Sequence, residues 1–167
     1  ISVNVSVRQF ANAGFVDMVA RALKTQNLPA ELLCLEITEQ FLKQDTERNV
    51  AVIIELKALG VQIAVDYFGV GYSSLSYLRR FTPDIFKIDQ SFIAEVAQVG
   101  DDHAIVKAVI AMARSLNMLV MAKGVETTEQ NAVLVCEQCD FLQGYLFSRP
   151  LPADEFSRWQ MPMPASL

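Results

Sequence analysis

Val61-Gln62-Ile63-Ala64-Val65-Asp66-Tyr67-Phe68-Gly69-Val70-Gly71-Tyr72-Ser73-Ser74-Leu75 passes from an apolar run into a glycine-bearing loop. Residues 61–66 read as a strand buried on both faces, because β-branched and apolar residues follow one another without a polar face. The strand ends on Asp66. Gly69 and Gly71 then permit a tight turn, and Ser73 or Ser74 can accept hydrogen bonds from the first amides of a following helix. A strand, a turn and a helix start in that order make one βα unit.

The same unit recurs in both directions. Strands are expected at about 1–6, 32–38, 61–66, 84–88, 118–122 and 140–146. Between them lie helical patterns. Phe15, Met18, Val19, Ala22 and Leu23 recur at helical spacing, and that helix must stop before Leu28-Pro29. A second helix runs from about Thr46 to Leu59 and is expected to bury Val50, Ile53 and Ile54, with Gly60 as its left-handed cap. Asp101 or Asp102 is expected to cap a helix carrying Ile105, Val109, Met112 and Leu116. Thr127-Thr128-Glu129-Gln130 has the form of a capping box. Pro152 suits the first turn of a last short helix. Strands alternating with helices predict an α/β fold around a parallel sheet.

The chain has 167 residues, 52% of them hydrophobic and 20% charged, which is ample for one buried core. A net charge of −5 gives no basic field to hold DNA by its phosphates. No apolar run approaches the roughly 20 residues that cross a bilayer, so no membrane contact is expected of this segment. Three cysteines, an odd number, suit a reducing compartment better than a disulfide framework. The expected location is cytoplasmic, within a parent protein that could itself be membrane-anchored.

Several short motifs stand in a fixed order. They are Val3-Asn4-Val5-Ser6, Leu35-Glu36-Ile37-Thr38-Glu39, Asp66-Tyr67-Phe68-Gly69, Phe86-Lys87-Ile88-Asp89-Gln90-Ser91-Phe92, Ala122-Lys123-Gly124-Val125-Glu126-Thr127 and Gln143-Gly144-Tyr145-Leu146-Phe147-Ser148-Arg149-Pro150. In this order they resemble the motifs of the EAL domains, bacterial phosphodiesterases that open cyclic di-GMP. The resemblance implies a TIM-type (β/α) barrel. A complete barrel takes about 250 residues, and the family's Glu-Ala-Leu motif would precede Val3. Residues 1–160 are therefore expected to be the C-terminal two-thirds of such a domain, a partial barrel, with 161–167 a frayed tail. Its open sheet edges invite pairing, so a homodimer is one expectation and a longer chain the other.

The resemblance also implies roles. Asn4, Glu36 and Asp66 match metal ligands. Lys87 matches a residue that orients or polarises water. Glu126 and Gln143 match polar groups of the catalytic site, and Glu39 supports the loop that carries Gly69, Gly71 and Ser73. Two positions depart from the family. Tyr67 stands where the family has a second Asp, and Lys123 stands where it has a Glu. Asn4, Glu36, Asp66, Lys87, Lys123 and Gln143 each fall near the end of a different expected strand, the face on which barrels build their sites.

Phosphodiester hydrolysis needs an activated water and positive charge on the phosphate oxygens, and two carboxylate-held divalent ions supply both. A phenol and an ammonium are poor substitutes for carboxylates on hard cations. No cofactor is therefore expected, with Mg²⁺ or Mn²⁺ only if some activity remains. Lys123 is expected to turn inward among Glu36 and Asp66 and neutralise them, the alternative being that it snorkels to solvent. The expected function is that of a degenerate regulatory signalling module working through a protein partner. The alternatives are a cyclic di-GMP receptor without hydrolysis and a weakly active phosphodiesterase yielding linear pGpG.

Cys136-Glu137-Gln138-Cys139 has the spacing of a metal or redox pair, but no second half-site accompanies it and it sits late in a helix. It is expected to be incidental. His103, Lys107, Arg114 and Lys43 read as surface positions, as does the Arg79-Arg80 pair.

Overall fold

The computed structural model describes residues 1–38, 47–68, 83–98 and 100–160, with the backbone alone at 67 and 68. Six strands lie in one sheet: β1 (Ser2–Asn4), β2 (Cys34–Thr38), β3 (Gln62–Phe68), β4 (Ile85–Ile88), β5 (Leu119–Lys123) and β6 (Phe141–Gln143). Each strand pairs in parallel with the next in sequence. The order never reverses, so the sheet winds in one direction as a half-barrel. All six expected strands are present at the expected places, most of them a residue or more shorter than the apolar runs suggested.

The described helices are α1 (Val7–Phe10), α2 (Phe15–Gln26), α3 (Glu47–Ala58), α4 (Gln90–Ile93), α5 (Asp101–Ser115), α6 (Thr128–Cys136) and α7 (Ala153–Phe156). Period-two alternation sorts the strand residues between two sides of the sheet. Leu35, Ile37, Ile63 and Val65 point outward and pack with Phe15, Val19 and Leu23 of α2 and with Ile53 and Leu56 of α3. Phe86, Ile88, Val120 and Ala122 pack with Val106, Ile110 and Ala113 of α5 and Leu134 of α6. Burying one such large side chain stabilises the fold by roughly 1.5–3 kcal/mol. A thin third cluster joins Cys34, Ala64 and Ile85, with Met121 against it. Two positions further along each of these four strands lie Glu36, Asp66, Lys87 and Lys123. The alternation that builds the inner layer therefore also delivers four charged side chains above it.

Carboxylates that accept from strand amides fix the opposite ends of the strands, Asp84 half-buried and Asp140 exposed. Asp84 accepts from the Ile63 amide at 2.9 Å and from Lys57 Nζ at 2.8 Å. Asp140 accepts from the Val120 amide at 2.8 Å. Between β3 and β4 the register shifts between Val65 and Phe68. Such irregularities re-aim side chains beside functional sites, and this one falls at Asp66.

The helix faces correct three expectations. Ile54 is 61% exposed, and α3 buries the expected Ile53 together with Leu56, with Val50 at the margin. In α5 the buried stripe is Val106, Ile110 and Ala113, one position on from the expected face, so Ile105 and Leu116 are exposed and Val109 and Met112 are flanks. Apolar residues lie on several sides of both helices, and the 3.6-residue period alone does not choose among them. Met18 and Ala22 of α2 face an apolar cleft beside β1, lined also by Ile1 and Val3, instead of the closed core.

The end signals mostly hold. Gly60 takes φ +93° after α3. Thr127 and Gln130 form the reciprocal capping box of α6. Gly100, not an aspartate, is the N-cap of α5, and Asp101 and Asp102 occupy its first turn, where the helix dipole favours them. Pro152 is itself the N-cap of α7. Glu39, the loop with Gly69, Gly71 and Ser73, the start of the second helix at Thr46, Lys43, Arg79-Arg80 and the tail 161–167 lie outside the described residues.

The chain approaches itself closely where β6 ends. A Cβ on Gly144 would stand 2.0 Å from the Val125 carbonyl oxygen and 2.3 Å from its nitrogen. Gly144→Ala should therefore push the β6 end away from the loop after β5. We expect a loss of roughly 1–3 kcal/mol, the usual range for overpacking, read as a lower denaturant midpoint. An unchanged midpoint would contradict the close approach.

Candidate functional site

Asn4, Glu36, Asp66, Lys87, Lys123 and Gln143 all line one cleft of about 600 Å³ at the C-terminal ends of the strands. They come from six different strands, which explains how residues more than a hundred positions apart can meet. Met121 closes the floor and Phe156 of α7 reaches the rim. Asn4 and Gln143 are exposed because β1 and β6 are the outer strands of the sheet. Glu126 lies in a smaller neighbouring cleft of about 210 Å³, which shares Lys123 and Gln143 with the first.

The four charged residues form two pairs. Lys87 Nζ donates to Glu36 Oε1 at 2.6 Å, with 4% and 8% of the side chains exposed. Lys123 Nζ donates to Asp66 Oδ1 at 2.8 Å and to Oδ2 at 2.9 Å. Its side chain is 21% exposed, against 4% for Asp66. Of the two orientations open to Lys123, the inward one is found. Each bridge skips a strand: Glu36 on β2 reaches β4, and Asp66 on β3 reaches β5. The bridges therefore interleave across four consecutive strands. Both lie where water is largely excluded, so loss of either partner leaves an uncompensated buried charge.

Gln130 is a part of the site's support that sequence reasoning read only as a cap. Its Oε1 accepts from the amides of Glu126 at 2.7 Å and Thr127 at 3.0 Å, while its Nε2 donates to the Ala94 carbonyl at 3.1 Å. The side chain thus ties the loop after β5 to the turn after α4. A capping-box spacing announces the first contact, but nothing local announces the second. Asp84, Asp140 and the register shift at Asp66 were likewise not singled out, because each depends on a neighbouring strand.

The cysteines make no centre. Cys136 is exposed, and the Cys139 thiol donates to the carbonyls of Val120 and Phe141. Burial pushes the Cys139 thiol up to about 11, and it also raises Cys34. Neither is a ready thiolate at neutral pH. His103 Nε2 lies 3.1 Å from Glu137 Oε1, joining α5 to the end of α6 on the outer surface.

The family model of the EAL domain matches residues 1–150. This chain belongs to the EAL domain family. It is 45% identical over 155 residues to the bifunctional diguanylate cyclase/cyclic di-GMP phosphodiesterase MucR of Pseudomonas aeruginosa, covering 93% of this chain and 23% of MucR. The solved MucR phosphodiesterase in complex with cyclic di-GMP superposes with a TM-score of 0.87, over 93% of this chain and 63% of that one. Klebsiella pneumoniae BlrP1, solved with manganese and cyclic di-GMP, is 31% identical with a TM-score of 0.82, over 89% of this chain and 38% of that one. The EAL chain described here therefore spans less than a quarter of the MucR sequence and under two-thirds of its solved phosphodiesterase chain. Among the described residues no helix is long and apolar enough to cross a membrane.

BlrP1 has been solved with a divalent metal, which sets the donors such an ion would need here. Hard divalent ions take six or more oxygens, with carboxylates supplying the charge. Both Asp66 oxygens accept from Lys123, and Glu36 Oε1 accepts from Lys87. Position 67 is a tyrosine. Among the described residues no group of three or more His, Cys, Asp and Glu side chains is placed to hold a metal ion. The described residues in this arrangement do not fit a divalent pair.

The Glu36–Lys87 pair sets a stability prediction. Lys87→Met should cost about 3–5 kcal/mol, because Glu36 stays buried without its cation. Replacing both, as Lys87→Met with Glu36→Leu, should recover most of that loss. Denaturant unfolding of the three proteins checks this, and a single variant as stable as wild type would contradict it.

Proposed function

We propose that this chain is the degenerate EAL domain of a signalling protein, acting as a regulatory module through a protein partner and not by hydrolysing cyclic di-GMP. One observation carries the reading: an ammonium occupies both oxygens of Asp66. In this fold Asp66 would have to share a metal with other carboxylates to activate water. Here Lys87 and Lys123 neutralise the two carboxylates of the cleft. Among the described residues of the cleft, no carboxylate is left without an ammonium partner to take a proton from water or to hold a cation against a phosphate.

A second reading has its own support. The cleft is open, and Asn4 and Gln143 present amide groups at its margins. The MucR phosphodiesterase, which shares the fold, is described as a cyclic di-GMP complex. A domain that binds the dinucleotide without cutting it would use the same cleft. The apolar surface at Ile1, Val3 and Met18 and at Phe141, Tyr145 and Phe156 is compatible with a partner or a second copy.

Cyclic di-GMP turnover by the intact protein tests the proposal, with Mg²⁺ or Mn²⁺ at millimolar concentration. The expected rate is at least about a thousandfold below the 1 s⁻¹ at the low end of ordinary enzymes. Turnover to linear pGpG near 1 s⁻¹ would overturn it. Calorimetric titration with the dinucleotide then separates the two readings: saturable binding without turnover favours the receptor, and no binding favours the protein partner.

A further inference from the structure

The geometry points to Lys123 as a tethered cation that holds the place of a divalent metal, so that the cleft admits such an ion only when this side chain is removed. The inference rests on the reading of the site as degenerate and adds what fills it.

Asp66 is carried inward on β3 by the same alternation that turns Ile63 and Val65 toward the helices. Its side chain is 4% exposed. A carboxylate so placed needs a cation or must be neutralised by a proton. The ammonium of Lys123 lies within hydrogen-bond distance of both its oxygens, at 2.8 and 2.9 Å. Lys123 is the last residue of β5, in register with Gln143 of β6, and β4 separates it from Asp66. A long unbranched side chain can span that gap inside the curl of the sheet. The contact joins two non-adjacent strands, which is the mechanical task that a metal shared between strands would perform.

Charge and tethering both act against a free ion. The cleft is lined by the carboxylates of Glu36 and Asp66 and by the ammoniums of Lys87 and Lys123. These charges cancel, and divalent affinity depends on an excess of carboxylate charge. An ion arriving at Asp66 would have to displace an ammonium that cannot diffuse away, since a tether maintains a high local concentration. If both stayed, like charges would face one another at contact distance in a partly desolvated site. The second cleft shares Lys123 but offers Glu126 as its carboxylate, so it does not escape this competition.

The test counts bound Mn²⁺ in the intact protein from the electron paramagnetic resonance signal of the free ion, for wild type and for Lys123→Glu. The variant is expected to bind one Mn²⁺ more than wild type at millimolar concentration. Comparing the two proteins cancels binding by other parts of a longer chain. Equal binding, with the variant folded by circular dichroism, overturns the inference. Should Lys123→Glu fail to fold, Lys123→Gln removes the cation without adding a charge. It is then expected to bind Mn²⁺ at least about tenfold more tightly than wild type, and an unchanged affinity overturns the inference. The count is independent of turnover. An inert wild type that binds Mn²⁺ as well as the variant sinks this inference alone, whereas an active wild type sinks the functional reading.

Discussion

Two carboxylates face the inside of a curled parallel sheet and must be neutralised there. The rest of the site follows from that constraint. Parallel strands bury both faces, so a charged residue on the inner face has little access to water except at the strand ends. Glu36 and Asp66 sit at those ends, and each draws a lysine from two strands away. The consequence is a layer of interleaved ion pairs above the small apolar layer of Cys34, Ala64, Ile85 and Met121. Buried pairs of this kind add little net stability relative to apolar residues, but losing one member is costly. They therefore act more as a constraint on strand arrangement than as a source of binding energy.

Most of the architecture was legible because it rests on short-period patterns. The strands are compact apolar runs bounded by turn residues, and six of six are recovered. Thr127 and Gln130 announced their cap because its partners lie three residues apart. The helix faces were less legible. In α5, alanine, valine and isoleucine lie on several sides, and only the packing partners Phe86, Val120 and Leu134 select Val106, Ile110 and Ala113. Ile54 failed for the same reason.

The site was legible in membership and only partly in wiring. Six motif residues were expected to converge, and all six line one cleft. That Lys123 turns inward followed from charge, since a buried carboxylate needs a partner. Which carboxylate it would take did not follow, because the choice depends on strand spacing and on the register shift beside Asp66. The carboxylate props at Asp84 and Asp140 and the second contact of Gln130 depend on distant backbone and carry no local signal. Family membership accounts for the shape of the cleft. Tyr67 and Lys123 are the positions on which the proposed loss of hydrolysis turns, since a fold alone does not fix the chemistry of its site.

The coupling between Asp66 and Lys123 tests the central claim most directly. A double-mutant cycle with Asp66→Asn, Lys123→Met and the pair, read by denaturant unfolding, isolates it. If the lysine neutralises the buried carboxylate, the two changes should be coupled by at least about 1 kcal/mol, the pair costing less than the singles together. Effects that add to within about 0.5 kcal/mol would place Lys123 in solvent and contradict the account.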